Sequence, residues 1–525
     1  MRSCLFLFAA FLCSCSSDKV EYSSGLAPNS DTRPAEEQYD SSGAANAAAD
    51  LLPSASTPSQ ILENELEAVQ AEDVQLVGQN LVLLDAGRSE LIGLRLSDRS
   101  LHRLLEQEVT AFTALPTTDR LLTIDADGSG TLLALGSGKT LRLPLRPGHM
   151  TLSPSPNGRH ALVSIAPDQS GPTSGGAYGL GEVTLVNVAS TLAASTAQSF
   201  ALTSPPEEVR FSADGTRLYV RSTRGIEIID LTAPGGSTPI AFRPTPKLAA
   251  SVSRLLLDPE HGRAFCIDGS SALLVIQDLD DGTERRLPLP AVPTDLDLLP
   301  GSAGALLVAR DGGVLMRWTD ATDDVLAHRT GTAIGAAHVL EGSTTIVLST
   351  SVDPDGAIRL VDLARLSAAN FDPSTDLTRV ELARPVEAVT LAPGGSTIVL
   401  YHPTSVGSED PYPGSELVTL VATETGQTVP LLLPERPRGL AFSTDGAYAY
   451  LALGTASVLI EVSLTDLVAR SLPLPEAPLL VGALPETQGA FTLLHHPLGK
   501  LAFLARGAEP TFLTGFALNF SGEDQ

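Results

Sequence analysis

Phe211–Val220 reads FSADGTRLYV, and this phrase returns along the chain. Copies stand at Leu152–Ser164 (LSPSPNGRHALVS), Leu257–Asp268 (LDPEHGRAFCID), Leu391–His402 (LAPGGSTIVLYH) and Phe442–Leu453 (FSTDGAYAYLAL). Weaker copies are LPGSAGALLVAR at Leu299–Arg310, LEGSTTIVLST at Leu340–Thr350 and LPETQGAFTLLH at Leu484–His495. Each is a short apolar run, a Gly-containing turn and a second apolar run. Asp-Gly and Asn-Gly at Asp214–Gly215, Asp445–Gly446 and Asn157–Gly158 supply the positive φ of a tight hairpin. From Gly158 to Gly215 is 57 residues and from Gly215 to Gly262 is 47, a spacing that marks a repeat architecture.

Each copy continues alike. A third run often ends in Asp-Leu: GIEIIDL at Gly225–Leu231, ALLVIQDL at Ala272–Leu279 and AIRLVDL at Ala357–Leu363. A fourth tends to Leu-Pro-Leu, as at Leu141–Leu145, Arg285–Pro290 and Arg470–Pro475. Runs of about five Val, Ile, Leu and Tyr residues between turn formers are strand signals. No sustained helical period interrupts them. Proline lacks the N–H that a central strand donates, so Pro288, Pro430 and Pro473 assign the fourth run to a sheet edge.

Four short antiparallel strands per repeat is the unit of a β-propeller blade. The units resemble bacterial YVTN, TolB-type and WD40-like propeller repeats over about Val74 to Asn519. The YVTN tetrapeptide itself is absent, and Tyr219-Val220-Arg221-Ser222 stands nearest to it. The resemblance implies an all-β fold and leaves function open, because propellers host both binding proteins and unrelated enzymes. About ten units begin near Val74, Val109, Met150, Val209, Ser253, Thr294, Ile334, Val386, Leu440 and Leu480. Rings of seven to ten blades fit this count. Two consecutive smaller propellers are the alternative.

The chain begins MRSCLFLFAAFLCSCSSDK. Arg2 precedes a short apolar stretch, Leu5–Leu12, too short to span a bilayer, which reads as a targeting segment. Leu12-Cys13-Ser14-Cys15 resembles the bacterial lipobox. The resemblance implies a signal peptide over 1–14 and lipid attachment at Cys15, with Ser16 favouring the outer membrane. An ordinary secretory signal is the alternative. Residues 15–72 are rich in Ser, Ala, Asp, Glu and Pro and read as a disordered stalk. The propeller is expected over 73–520, with a tail at 521–525. The protein is thus expected to be exported and anchored on a bacterial envelope membrane, facing the periplasm or the surface.

The formal charge is −27 and the pI about 4.6. A nucleic-acid partner needs the opposite sign, so none is expected. Three of four cysteines lie in the leader, which leaves Cys266 alone in the repeats as a buried, inert thiol. The segment Leu135–Thr140 (LGSGKT) mimics the end of a phosphate-binding loop. It lacks the first glycine and lies between two strands, so it reads as a hairpin turn. Asp125–Gly130 (DADGSG) opens like a calcium loop but has no closing Glu, and also reads as a turn. The nine histidines form no metal spacing, and there is no Gly-x-Ser-x-Gly elbow. No metal, cofactor or catalytic residue is expected.

One positional pattern points to function. The long insertions, Ala166–Glu182, Thr350–Gly356 and His402–Glu416, all fall between second and third strands and therefore open on one face. They carry Asp168, Tyr178, Asp355, Glu409, Asp410 and Tyr412 as binding-face candidates. The first reading is an interaction module that presents this face to an envelope protein, peptide or glycan. A second reading is an enzyme resembling lactonase-type propellers, with a central-channel site. The first strands offer Glu208, Arg210, Arg254, Asp295, Asp297, Glu387 and Arg438 for it, a mixture that equally suits a ring of structural ion pairs. A third is a structural subunit of an envelope assembly.

Overall fold

The computed structural model describes residues 71–514, apart from 166–180, 233–238, 300–303, 340–343, 350–355, 405–409, 485–488 and gaps of one to three residues. The leader and stalk lie outside the described residues. Forty strands form ten four-stranded antiparallel sheets, each built from four consecutive strands. Blades 1 to 10 span 71–103, 109–143, 151–201, 208–244, 254–288, 295–329, 336–381, 388–433, 439–473 and 478–514. Each begins within three residues of its expected start. Among the described residues, helix is confined to single turns such as Pro373–Asp376. Among the described residues, no helix is long and apolar enough to cross a membrane.

First strands of neighbouring blades pack together, as Gly439–Phe442 does with Pro478–Leu484, which puts them around the central axis. Second and third strands are almost wholly buried: Arg263–Ile267 and Gly304–Ala309 have no exposed residue. Fourth strands are the exposed rim. There Glu284–Pro288 ends in the expected proline, as does Val468–Pro473.

Ten apolar clusters fill the ten interfaces. In the second strand of blade 1 (Asn80–Asp85), Leu81 and Leu83 pack on blade 10, whereas Val82 and Leu84 pack on blade 2. Alternate side chains point to opposite faces. Both faces of a blade are covered, so the strand reads as a continuous apolar run. Burial of each such Leu is worth about 1.5–3 kcal/mol. Leu484, Phe491, Leu493, Leu501 and Phe503 of blade 10 close onto blade 1, which makes one ring of ten rather than two smaller ones. Among the described residues no blade takes a strand from the other end of the chain, and side chains make the contact between blades 10 and 1.

The recurring turn has a second function. Ser212 Oγ donates to Asp214 Oδ1 (2.6 Å) and accepts from the Arg217 N–H (2.9 Å); Ser443 and Asp445 repeat this at 2.6 Å. The turn glycine then docks on the preceding blade. A Cβ on Gly158 would collide with the Pro116 carbonyl, and one on Gly446 with the Pro393 carbonyl. Both glycines also have positive φ, +64° and +67°.

The segment at Leu135–Thr140 is a hairpin turn, with the Gly138 N–H bonded to the Ala134 carbonyl at 2.9 Å. Asp125 accepts from Thr123 Oγ1 (2.8 Å), Thr131 Oγ1 (2.7 Å) and Ser129 Oγ (3.1 Å), while Asp127 pairs with Arg142. These carboxylates serve the turn. Cys266 is fully buried, and burial pushes its thiol up to about 12.

Candidate functional site at the channel mouth

In every blade the chain enters the first strand at one end of the sheet. The second strand returns it to that same end, where the connection to the third strand lies. The starts of the first strands and the second-to-third-strand connections therefore share one face. Charged residues gather at those starts over blades 4 to 9. Glu208, Arg254 and Asp295 are the first residues of their strands. Glu387 immediately precedes the first strand of blade 8 (Ala388–Leu391), and Arg436 and Arg438 precede that of blade 9 (Gly439–Phe442). The first-strand starts that carry these charges and the strand ends that flank the long insertions, which the sequence offered as separate sites, thus belong to one end of the ring.

The charges form three groups. In blade 4, Glu208 accepts from Arg210 Nε (2.8 Å) and Arg221 Nε (2.9 Å), and Glu207 lies 3.4 Å from Arg221. Between blades 8 and 9, Arg436 grips Glu387 through both terminal nitrogens at 3.1–3.3 Å. Arg438 does not reach Glu387. Its guanidinium covers Gly454, at the end of its own blade's second strand.

The third group spans blades 5, 6 and 7. Arg254 pairs with Asp295 through Nη1 and approaches Asp297 Oδ1 through Nη2 at 3.4 Å. Asp297 is pushed up to about 7, first by burial and then by the Asp295 charge, with Arg254 opposing. His338, third residue of the first strand of blade 7 (Ala336–Val339), stands in the field of Asp295 and Arg254, and burial holds it below the ordinary histidine range. A carboxyl raised towards neutrality can serve as an acid or a base. Among the described residues, no group of three His, Cys, Asp or Glu has metal-holding geometry.

Sequence reasoning passed over His338, Arg436 and Arg221. His338 occupies the strand position that Arg210 holds in blade 4 and Asp297 in blade 6, so superposing the units would have found it.

On the insertions, Asp168, Tyr178, Asp355 and Glu409 lie outside the described residues. Asp410, expected among the exposed acids of its loop, is instead buried against Arg384, with no side-chain exposure on either partner (2.7 Å). Arg384 Nε donates to Asp410 Oδ1 (3.1 Å), Nη1 to the carbonyls of Pro403 (3.2 Å) and Ser415 (3.0 Å), and Nη2 to that of Tyr412 (2.6 Å). This guanidinium pins both ends of the insertion. Beside it His402, 2 % exposed, donates Nδ1–H to the Pro385 carbonyl (2.8 Å), and its Nε2 accepts from the Thr419 hydroxyl (2.9 Å). Tyr412 remains half-exposed on the pinned loop.

No protein-family model and no curated protein matches the chain. Among solved structures it is similar to the dihydro-heme d1 dehydrogenase NirN in complex with DHE, at 16% identity and a TM-score of 0.40, over 70% of this chain and 73% of that one. It is similar to Kuenenia stuttgartiensis hydrazine synthase at 12% identity and a TM-score of 0.32, over 58% of this chain and 96% of that one. A streptogramin B lyase structure matches with the same four values.

Proposed function

We propose that this protein is an interaction module whose ring presents the channel mouth and the insertions around it to a protein, peptide or glycan partner. The observation that carries this reading is the Arg384–Asp410 clamp. Removing two charges from water costs several kcal/mol per ion before pairing offsets it. That is an expensive way to hold a loop with no task, and it leaves Tyr412 on a preorganised surface. Loops fixed on a rigid scaffold are where binding commonly resides.

A photo-crosslinking residue in place of Tyr412, compared with one at Thr216 on the opposite face, tests this in cells. A discrete adduct from the Tyr412 position alone is expected. Equal labelling from both faces would sink it.

The leader adds a location. Cys15 is taken as the lipid-attachment residue, holding the ring by its stalk on the outer membrane of a bacterium. Labelled fatty acid should enter the full chain and not Cys15→Ser.

The raised Asp297 carboxyl, beside Asp295 and Arg254 at the channel mouth, favours a second reading, an enzyme of the lactonase-like kind. A lactone-hydrolysis screen with metal analysis separates the two, because turnover lost in Asp297→Ala belongs to the enzyme alone.

A further inference from the structure

Residues 295 and 297 lie on the same side of one strand, which brings their carboxylates within about 7 Å of each other. A single guanidinium serves both, and unequally. Arg254 is in close contact with Asp295, whereas its 3.4 Å approach to Asp297 exceeds the 2.7–2.9 Å typical of a charge-assisted hydrogen bond. Among the described residues, no further cation acts on Asp297. The charged groups acting on Asp297 are Asp295 on its own strand and Arg254 on the first strand of blade 5, and both also act on His338 of the first strand of blade 7. The strand hydrogen-bonded to that of Asp297, Gly304–Ala309, contributes only apolar residues. The other groups at the mouth are differently balanced. Glu387 has Arg436 to itself, and Glu208 touches two arginines.

We infer that Arg254, Asp295, Asp297 and His338 form a proton-operated junction between blades 5, 6 and 7. With Asp297 neutral, Arg254 serves Asp295 alone. With Asp297 ionised, one guanidinium must serve two carboxylates, and the mouth carries an unbalanced negative charge. The titration of Asp297 at about pH 7 puts both states within reach near neutrality. Because its folded pKa is raised from 3.8, the neutral carboxyl's contribution is complete below that ordinary value. It is lost as pH rises to about 7 and changes no further above it. The inference rests on blade geometry and holds whichever partner the face takes.

Hydrogen exchange of the full chain, corrected for intrinsic rates, tests it on the peptide holding Asp295–Leu298. The opening constant of wild type relative to Asp297→Asn should rise by up to about tenfold per pH unit between pH 5 and 7, then level off. Asp295→Asn, which frees Arg254 for Asp297 and removes the like charge, should move that rise to lower pH. The urea midpoints of wild type and Asp297→Asn should diverge over the same window. Parallel profiles in both measurements would overturn the junction. So would a step that Asp295→Asn leaves in place.

Discussion

Arg384 and Asp410 form an ion pair with no side-chain exposure, although one lies in the link between blades 7 and 8 and the other in an insertion of blade 8. Asp410→Ala would leave the Arg384 guanidinium buried without its counter-charge, and a clear loss of stability is expected in urea unfolding. Arg384→Met with Asp410→Leu should cost much less, because no charge is then stranded. If both variants lose the same amount, the pair is not what holds this region. The same contacts dictate how the loop must be removed. Deleting 402–416 alone strips Arg384 of every partner, so a deletion that tests binding has to replace Arg384 as well.

Gly158 and Gly394 are both turn glycines, but their surroundings differ. Both have positive φ (+64° and +82°), but a Cβ on Gly158 meets the Pro116 carbonyl and one on Gly394 meets nothing within 4 Å. The left-handed backbone costs a non-glycine residue about 1–2 kcal/mol. Gly394→Ala should lose about that amount in chemical denaturation and Gly158→Ala distinctly more. Equal losses would mean that the turns do not dock blade on blade.

The seam between blades 10 and 1 has the packing of the other interfaces but no chain crossing it. Leu493→Ala there and Leu451→Ala at the interface of blades 8 and 9 remove the same atoms from fully buried positions, each for about 2–5 kcal/mol. At the seam nothing covalent keeps the loosened blades together. Limited proteolysis should therefore release terminal-blade fragments faster from Leu493→Ala than internal fragments from Leu451→Ala. The reverse order would show that the ring does not open at its ends.

Blade order and blade starts were legible because the signals are local: a period of two, a glycine turn and a proline on the outer edge. The closure of ten units into one ring was not, since it depends on Phe491 and Leu493 meeting Leu81 and Leu83 from the far end of the chain. The site followed the same division. Charges at the strand starts could be read from the repeat. Their partners could not, because whether Glu387 meets Arg436 or Arg438 is settled by the stagger between neighbouring blades. Asp410 read as a surface acid because the pattern of its loop is polar. Its burial is decided by Arg384, 26 residues earlier in another connection.

Three histidines, His160, His338 and His402, are held below the usual range, in each case first by burial. The sign is opposite to that of Asp297. A depressed histidine contributes stability above its unfolded value of 6.5, and that contribution is lost as pH falls below it. His402 should weigh most, because protonating Nε2 removes the acceptor of the Thr419 hydroxyl in a site that is 2 % exposed. His402→Asn keeps one donor and one acceptor but cannot titrate in this range. It should lower the urea midpoint at pH 7.5 and flatten the acid decline between pH 6.5 and 4.5 relative to wild type. Exchange at Ala357–Asp362 and Glu416–Ala422, the strands that follow the insertions of blades 7 and 8, should report the same flattening. An acid slope unchanged by the substitution would mean that folding leaves the proton affinity of His402 unaltered, against a buried Nε2 that can only accept.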